Sequence, residues 1–383
     1  MKLKFFSLMA LVAIGGSFYS CQKKAEAPKF NLIPEKAFEA TIDGKPVKLY
    51  TLQNNTGITM QVTNFGGRVV SLFTPDKNGN YEDIVLGYEN LDRYVHNTGE
   101  RFLGATIGRF GNRIAKGHFE LDGQEYNLSA WSNGQCLHGG DKAFDMVVWN
   151  VDSVTPNSIY FSYLSPDMEE GFPGNLDVKM VYSLSDDGSF KVEHYATTDK
   201  ATPVNLTHHS FFNFHGEGKG SINDHIMMIN ADSIVPVDSD LIPFGKLAAV
   251  ENTPFDFRKP TEIGLRVDND DEQLKLGHGY DHCFVINRKA DNDLELACSV
   301  LEPTSGRYME VYTTEPGVQF YGGNFFDGSS VGKTNDPLKH RESFALETQH
   351  YPDSPNQPEF PTTILQPGEK YSHVCVYKFG VKQ

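Results

Sequence analysis

The sequence predicts an all-β protein, a large antiparallel β-sandwich in a single domain over about residues 41–381. Four observations point there. Asx-Gly turn signals recur at Asp43-Gly44, Asn78-Gly79, Asp122-Gly123 and Asp187-Gly188, the dipeptides that tight hairpins favour. Between them lie short runs in which apolar and polar residues alternate. No long segment carries an apolar stripe at helical spacing, and no repeat of fixed period is present. Aromatic residues make up 12% of the 383, with 35 Gly and 20 Pro, a composition that suits strands and turns better than a helical bundle.

Residues 1–20 read as an address. Lys2 and Lys4 precede the apolar run from Phe5 to Ile14, small residues follow, and Cys21 comes next. The run stops short of the ~20 apolar residues that a membrane span needs. It resembles a bacterial lipoprotein signal with Cys21 as the lipidated first residue, although Phe18-Tyr19-Ser20 departs from the usual lipobox. The expectation is an exported chain, periplasmic or associated with the outer membrane of a bacterium, that touches the membrane only through that lipid. Residues 21–40, polar and without clear periodicity, read as a tether.

Strands are then expected at Val47–Leu52, Ile58–Thr63, Arg68–Phe73, Ile159–Leu164, Leu176–Leu184, Phe190–Ala196, Leu294–Leu301, Tyr308–Thr313 and Tyr371–Phe379. The clearest is Leu176–Leu184. Leu176, Val178, Met180, Tyr182 and Leu184 share one face, and Asp177, Lys179 and Ser183 share the other, as in a half-buried antiparallel strand. A net charge of −16 repels phosphate backbones, so general nucleic-acid binding is not expected. Cys136, Cys283, Cys298 and Cys375 match no disulfide framework or zinc spacing.

Residues of an active-site kind gather in five places. Gly104–Ile114 holds Arg109, Asn112 and Arg113, either forked donors for hydroxyls or a carboxylate, or a Gly-rich turn with solvated arginines. With no βαβ context it is not a dinucleotide fingerprint. His138 precedes two glycines, which either admit a ligand close to the backbone or mark a structural turn. His208 and His209 are adjacent on a strand and so point to opposite faces; they do not readily chelate one metal, but one can face a cleft as a general acid. Asp281, beside Tyr280, is a sugar-hydroxyl partner or a turn cap. Glu347 follows an apolar strand and precedes a Pro-rich loop, as a base held by packing or as an edge charge. There is no G-x-S-x-G elbow, P-loop or H-E-x-x-H motif. A carboxylate with an imidazole, and no nucleophile or cofactor motif, suits proton transfer on a neutral polyol. The residues alone lead no further.

In this order along the chain, the motifs resemble the aldose 1-epimerase (galactose mutarotase) family. The likeness runs through Gly108-Arg109, Asn112-Arg113-Ile114, Leu137-His138-Gly139-Gly140, Glu170-Gly171-Phe172-Pro173-Gly174-Asn175, His209-Ser210, Phe212-Asn213, Thr253-Pro254-Phe255-Asp256-Phe257-Arg258, Tyr280-Asp281-His282 and Gly317-Val318-Gln319-Phe320-Tyr321. Its most specific piece is Leu346-Glu347-Thr348-Gln349-His350-Tyr351-Pro352-Asp353-Ser354-Pro355-Asn356. The resemblance implies a galactose mutarotase-like supersandwich that interconverts the α and β anomers of free aldohexoses such as galactose and glucose. It implies a monomer with a monosaccharide substrate, no cofactor and no metal. By the same likeness Glu347 is the general base on O1–H and His209 the general acid on ring oxygen O5. Asn112, Arg113, His138, Asp281 and Gln319 hold sugar hydroxyls, with Ser210 and Phe211 beside them.

Two residues depart from the family pattern: His208 stands where Asn is common, and Phe211, which lacks a hydroxyl, where Tyr is common. The competing readings are a non-catalytic sugar-binding lipoprotein on the same fold, an epimerase of phosphorylated hexoses, and a metal-dependent lyase or isomerase. The first would need neither His209 nor Glu347, and the second would need convergent cations. Attraction between opposite charges favours protonated His209 with ionised Glu347, and burial favours the reverse. A cleft open enough for a hexose is expected to let attraction win, with His209 setting the alkaline limb of the pH profile and Glu347 the acid limb.

Overall fold

The alternation of Leu176–Leu184 carries straight into three dimensions. Leu176, Val178, Met180, Tyr182 and Leu184 are buried, and Asp177 and Lys179 are exposed. In the computed structural model, which describes residues 30–96, 99–290 and 293–383, this strand is the third of a nine-stranded antiparallel sheet. Across that sheet the order is Asn150–Thr155, Ser158–Ser165, Leu176–Leu184, Ser189–Thr198, Tyr371–Val381, Arg307–Thr313, Glu295–Leu301, Ile226–Ile229 and Thr261–Glu262. The strand at the end of the chain sits in its middle, so both halves of the sequence build one sheet.

A six-stranded antiparallel sheet stacks against it, in the order Phe211–Phe212, Phe344–Gln349, Gly317–Tyr321, Asp281–Ile286, Ala231–Val235 and Ala248–Ala249. The core between them is largely aromatic. Phe212 packs on Phe344 and Tyr377 with ring centroids 5.7 and 5.4 Å apart, and the buried Tyr377 hydroxyl donates to Leu346 O across the two sheets at 3.0 Å. Leu49–Gln53, Thr59–Thr63, Arg68–Pro75 and Tyr81–Asp83 form a four-stranded sheet. The α-helices among the described residues are the single turns Leu91–Val95 and Glu272–Leu276. Cys136, Cys283, Cys298 and Cys375 are all unpaired and buried.

The signal segment 1–20 and Cys21 lie outside the described residues. The tether expected over residues 21–40 does not hold for residues 30–40, where the chain is packed from Phe30 on. Phe30 lies on the rings of Phe73 and Tyr81, Ile33 exchanges two hydrogen bonds with the Gln61 side chain, and Phe38 is fully buried. Three apolar residues too irregularly spaced to read as strand or helix anchor this stretch.

One buried ion cluster fixes the loop that later forms a wall of the cleft. Asp145 and Arg68 side chains are fully buried at 3.3 Å, and Arg101 closes on the same carboxylate through two bonds of 2.8 and 2.9 Å. Arg68 also donates to Arg101 O and Leu103 O. Removing the shared acid strands two guanidinium groups without a counter-charge. Asp145→Ala is therefore expected to lose about 3–5 kcal/mol of stability, read as a lower urea midpoint at unchanged slope. A loss under about 1 kcal/mol, the size of an exposed pair, would show that the cluster does not hold the loop.

Candidate active site

One sheet face gathers three polar residues. Glu347 lies opposite Gln319, and Gln319 opposite Cys283, in consecutive strands of the six-stranded sheet. Asp281, two residues before Cys283, points to the same side. Gln319 Nε2 donates to Asp281 Oδ1 at 2.7 Å. His209 comes from the short strand Thr207–His209, which pairs with Ala105–Ile107. Arg113 and Leu137 pair across a third small ladder, which delivers Asn112 and His138.

His209 Nε2 stands 3.3 Å from Glu347 Oε1, both side chains at least 95% buried. His138 meets His209 edge to face at 5.2 Å, and Phe102 and Phe211 lie against the His209 ring at 5.8 and 4.7 Å. The cleft above has a volume of about 130 Å³ and is lined by polar Glu100, Asn112, Arg113, His138, His209, Asp281 and Glu347 among Phe102, Leu137, Phe211, Tyr321 and Phe325. It mixes hydroxyl-binding groups with apolar walls, as a sugar's two kinds of surface require. A larger cavity of about 380 Å³ opens beside Glu315 and His350, but those two groups are bonded to each other. Chemistry, not volume, selects the smaller cleft.

Burial overturns the expected charge states. Desolvation pushes His209 down to about 3 and holds Glu347 well above the ordinary carboxylate range, with Asp281 raising Glu347 further and Arg113 lowering it. The expectation that attraction wins fails because both side chains sit under the surface, where each charge taken singly loses its water. The pair then holds one proton between the two groups, on the carboxyl. Among the described residues, Glu347 Oε2 and His209 Nδ1 have no hydrogen-bond partner. Asp281 is also raised by burial, against Arg113 and the Gln319 bond.

Backbone geometry sets the donors. Asn112 and His138 both have positive φ, 62° and 52°. Asn112 N–H donates to His138 Nδ1 at 3.1 Å, and Arg113 N–H to Asn112 Oδ1 at 2.9 Å. The proton of neutral His138 is therefore on Nε2, facing the cleft, and the Asn112 amide NH₂ is left for a ligand. His138, His209 and Glu347 bring donor atoms within 4.8 Å of one another, a spacing that would suit a metal. His138 does not fit that role, since its cleft-side nitrogen is a hydrogen donor with no lone pair to give.

Of the residues singled out in the sequence, Asn112, Arg113, His138, His209, Phe211, Asp281 and Glu347 line the cleft. Gln319 reaches it through Asp281, leaving its own buried Oε1 without a partner among the described residues. Ser210 does not belong there. As the residue between His209 and Phe211 it faces away, and its hydroxyl bonds His208 Nε2 at 2.7 Å. Arg109 is likewise structural: it is buried and donates to Ser165 O, Pro166 O and Pro173 O, which ties down the Glu170–Asn175 loop. The glycines after His138 admit protein rather than ligand, for a Cβ on Gly139, φ +92°, would lie 2.0 Å from Gly108 O. Sequence reasoning missed Glu100, Phe102 and Phe325. The first two precede the Gly104 motif by only a few residues, and nothing local marks the third.

The family profile described as aldose 1-epimerase matches residues 48–378. The galactose mutarotase of Homo sapiens is 43% identical over 338 residues, covering 88% of this chain and 95% of the relative. The aldose 1-epimerase of Escherichia coli (strain K12) is 37% identical over 339 residues, covering 88% and 96%. The solved structure of an aldose epimerase homologue from C. elegans superposes with a TM-score of 0.81 at 28% identity, covering 88% of this chain and all of that one. The chain belongs to the aldose 1-epimerase family and is, by that membership, an isomerase of aldose anomers.

Proposed function

We propose that the chain equilibrates the anomers of free, uncharged aldohexoses such as galactose and glucose, with Glu347 as general base and His209 as general acid. The 3.3 Å contact between these two groups inside a hydroxyl-binding cleft carries this reading. With the sugar bound, the shared proton passes from the Glu347 carboxyl to His209; Glu347 then takes the proton from O1–H, C1=O forms as the C1–O5 bond breaks, and His209 delivers its proton to O5. The open-chain aldehyde turns about C1–C2. O5 then attacks the other face, returning its proton to His209 while O1 recovers one from Glu347. Protons and electrons balance, so no co-reactant is consumed. Each group contributes roughly 10²–10⁴-fold, about 2.7–5.4 kcal/mol.

The charge of the cleft supports a neutral substrate. Glu100, Asp281 and Glu347 face a single guanidinium, Arg113. A phosphorylated hexose would meet more acids than cations. Asn112, Arg113, His138 and Asp281 supply donors and acceptors to the hydroxyls, and Gln319 steadies Asp281.

Export as a lipoprotein remains part of this reading. The Lys2–Lys4 start, the short apolar run and Cys21 support it. Cells grown with a labelled fatty acid are expected to label the wild-type chain and not Cys21→Ser, and equal labelling would remove the anchor from the reading.

Polarimetry of freshly dissolved α-glucose and α-galactose tests the base directly. Glu347→Gln keeps the shape and removes proton affinity, so kcat is expected to fall at least ~10²-fold with folding retained. Near wild-type turnover in that variant would place the base elsewhere, with Asp281 the next candidate.

The pH profile follows from the one-proton pair. Activity needs a single proton on it: adding a second at low pH charges His209, and removing the only one at high pH ionises Glu347. With His209 pushed down to about 3 and Glu347 raised, kcat/KM is expected to hold a broad plateau extending well below the ordinary histidine value of ~6.5. Titration of kcat/KM checks this. An acid limb near ~6.5 would show that burial does not control the pair.

A further inference from the structure

Three carboxylates line the cleft, and ring opening uses one. Asp281 is tied to Gln319. Glu100 has no part in the proton transfers, yet it is held as a binding group would be. Its Oε1 accepts the Phe102 N–H at 3.0 Å, its own N–H donates to Ser330 Oγ at 3.0 Å, and its carbonyl accepts the Tyr88 hydroxyl at 3.1 Å. The next residue, Arg101, is locked on Asp145. Backbone N–H groups of Phe102 and Arg101 face the carboxylate, and among the described residues no side chain bonds it, so an acceptor position is open toward the cleft.

We propose that Glu100 binds substrate, its carboxylate accepting a hydrogen bond from one sugar hydroxyl on the ring edge remote from C1, and that this contact ranks the aldose epimers the enzyme accepts. The proposal rests on C1 lying between His209 and Glu347. Those two groups are buried and Glu100 is half-buried, so a ring entering C1 first leaves its C3–C4 edge toward the outer part of the cleft. Phe211, on the cleft wall, brings no hydroxyl of its own. An ionised carboxylate accepts only, so it selects a hydroxyl by its position and its proton. Burial raises the Glu100 carboxyl, with nearby Arg68 and Arg101 opposing; a bound hydroxyl replaces the water such a group loses. The contact is remote from the reacting atoms, so it is equally strong in the ground and transition states and acts on KM rather than kcat.

The test is polarimetric, with glucose and its 2-, 3-, 4- and 6-deoxy analogues on wild type, Glu100→Ala and Glu100→Gln. Glu100→Ala is expected to raise KM for glucose about 10- to 100-fold, the worth of a hydrogen bond to a charged group, with kcat within about twofold. One deoxy analogue should suffer a similar loss in wild type and no further loss in Glu100→Ala. Glu100→Gln keeps an acceptor for the Phe102 N–H and should lose less, with coupling to the same hydroxyl; it serves if the Ala variant does not fold. Coupling to no hydroxyl, or a fall in kcat at unchanged KM, overturns the proposal and leaves the mutarotase reading standing. An inactive wild type overturns both.

Discussion

Water exclusion around two ionisable groups is the constraint on which the rest depends. His209 and Glu347 touch at 3.3 Å with almost no exposed surface. Between the two pH limbs the fold gains from this a proton donor and a proton acceptor that stay neutral in the free cleft and become charged together when the shared proton moves to the imidazole. An open cleft would leave each group at its ordinary value, with a separate water shell to strip at every turnover.

Holding such a pair requires two strands from different ladders to keep register to a fraction of an ångström. The residue next to each catalytic group supplies the anchor, because neighbours on a strand face opposite ways. Thr348, beside Glu347, bonds His373 of the nine-stranded sheet at 2.9 Å, and the Tyr377 hydroxyl of the same strand reaches Leu346 O. His208, beside His209, bonds Tyr182 of that sheet at 3.1 Å. Acid and base are thus referenced to one rigid body from behind. The family's common Asn at position 208 is replaced here by an imidazole that spans Tyr182 and Ser210, which is where Ser210 is used instead of the cleft.

The sequence exposed the nine-stranded sheet better than the sheet that carries the chemistry, and the cause is burial. Leu176–Leu184 has one wet face, so its pattern alternates; Phe344–Gln349 and Gly317–Tyr321 are buried at every position and Asp281–Ile286 at all but one, so no period of two survives. Asn112, His138, Asp281 and Glu347 were legible as site residues through the resemblance of their ordered motifs to the family, since each residue taken alone allowed a structural role as well. Ser210 was misplaced although strand alternation from His209 would have turned it away. Glu100 and Phe325 reach the cleft on loops, and only the tertiary structure brings them to it. The pH behaviour was misread for a related reason: the local charges were visible, and the depth of the cleft was not.

Magnitudes explain why burial wins in the free enzyme without disabling the reaction. At an effective dielectric near 20, unit charges 3.3 Å apart attract by about 5 kcal/mol. Burial opposes that attraction twice, penalising the charged forms of both His209 and Glu347, so the proton rests on the carboxyl. The ion-pair form differs by moving that one proton to the imidazole, with no change in net charge and no exchange with solvent. A sugar that brings hydroxyl dipoles against Glu347 Oε2, which the protein leaves unsatisfied, stabilises the carboxylate selectively and so tips the balance. The substrate thereby completes the solvation its own catalysts lack, and the reactive charge state arises where a sugar is present to use it.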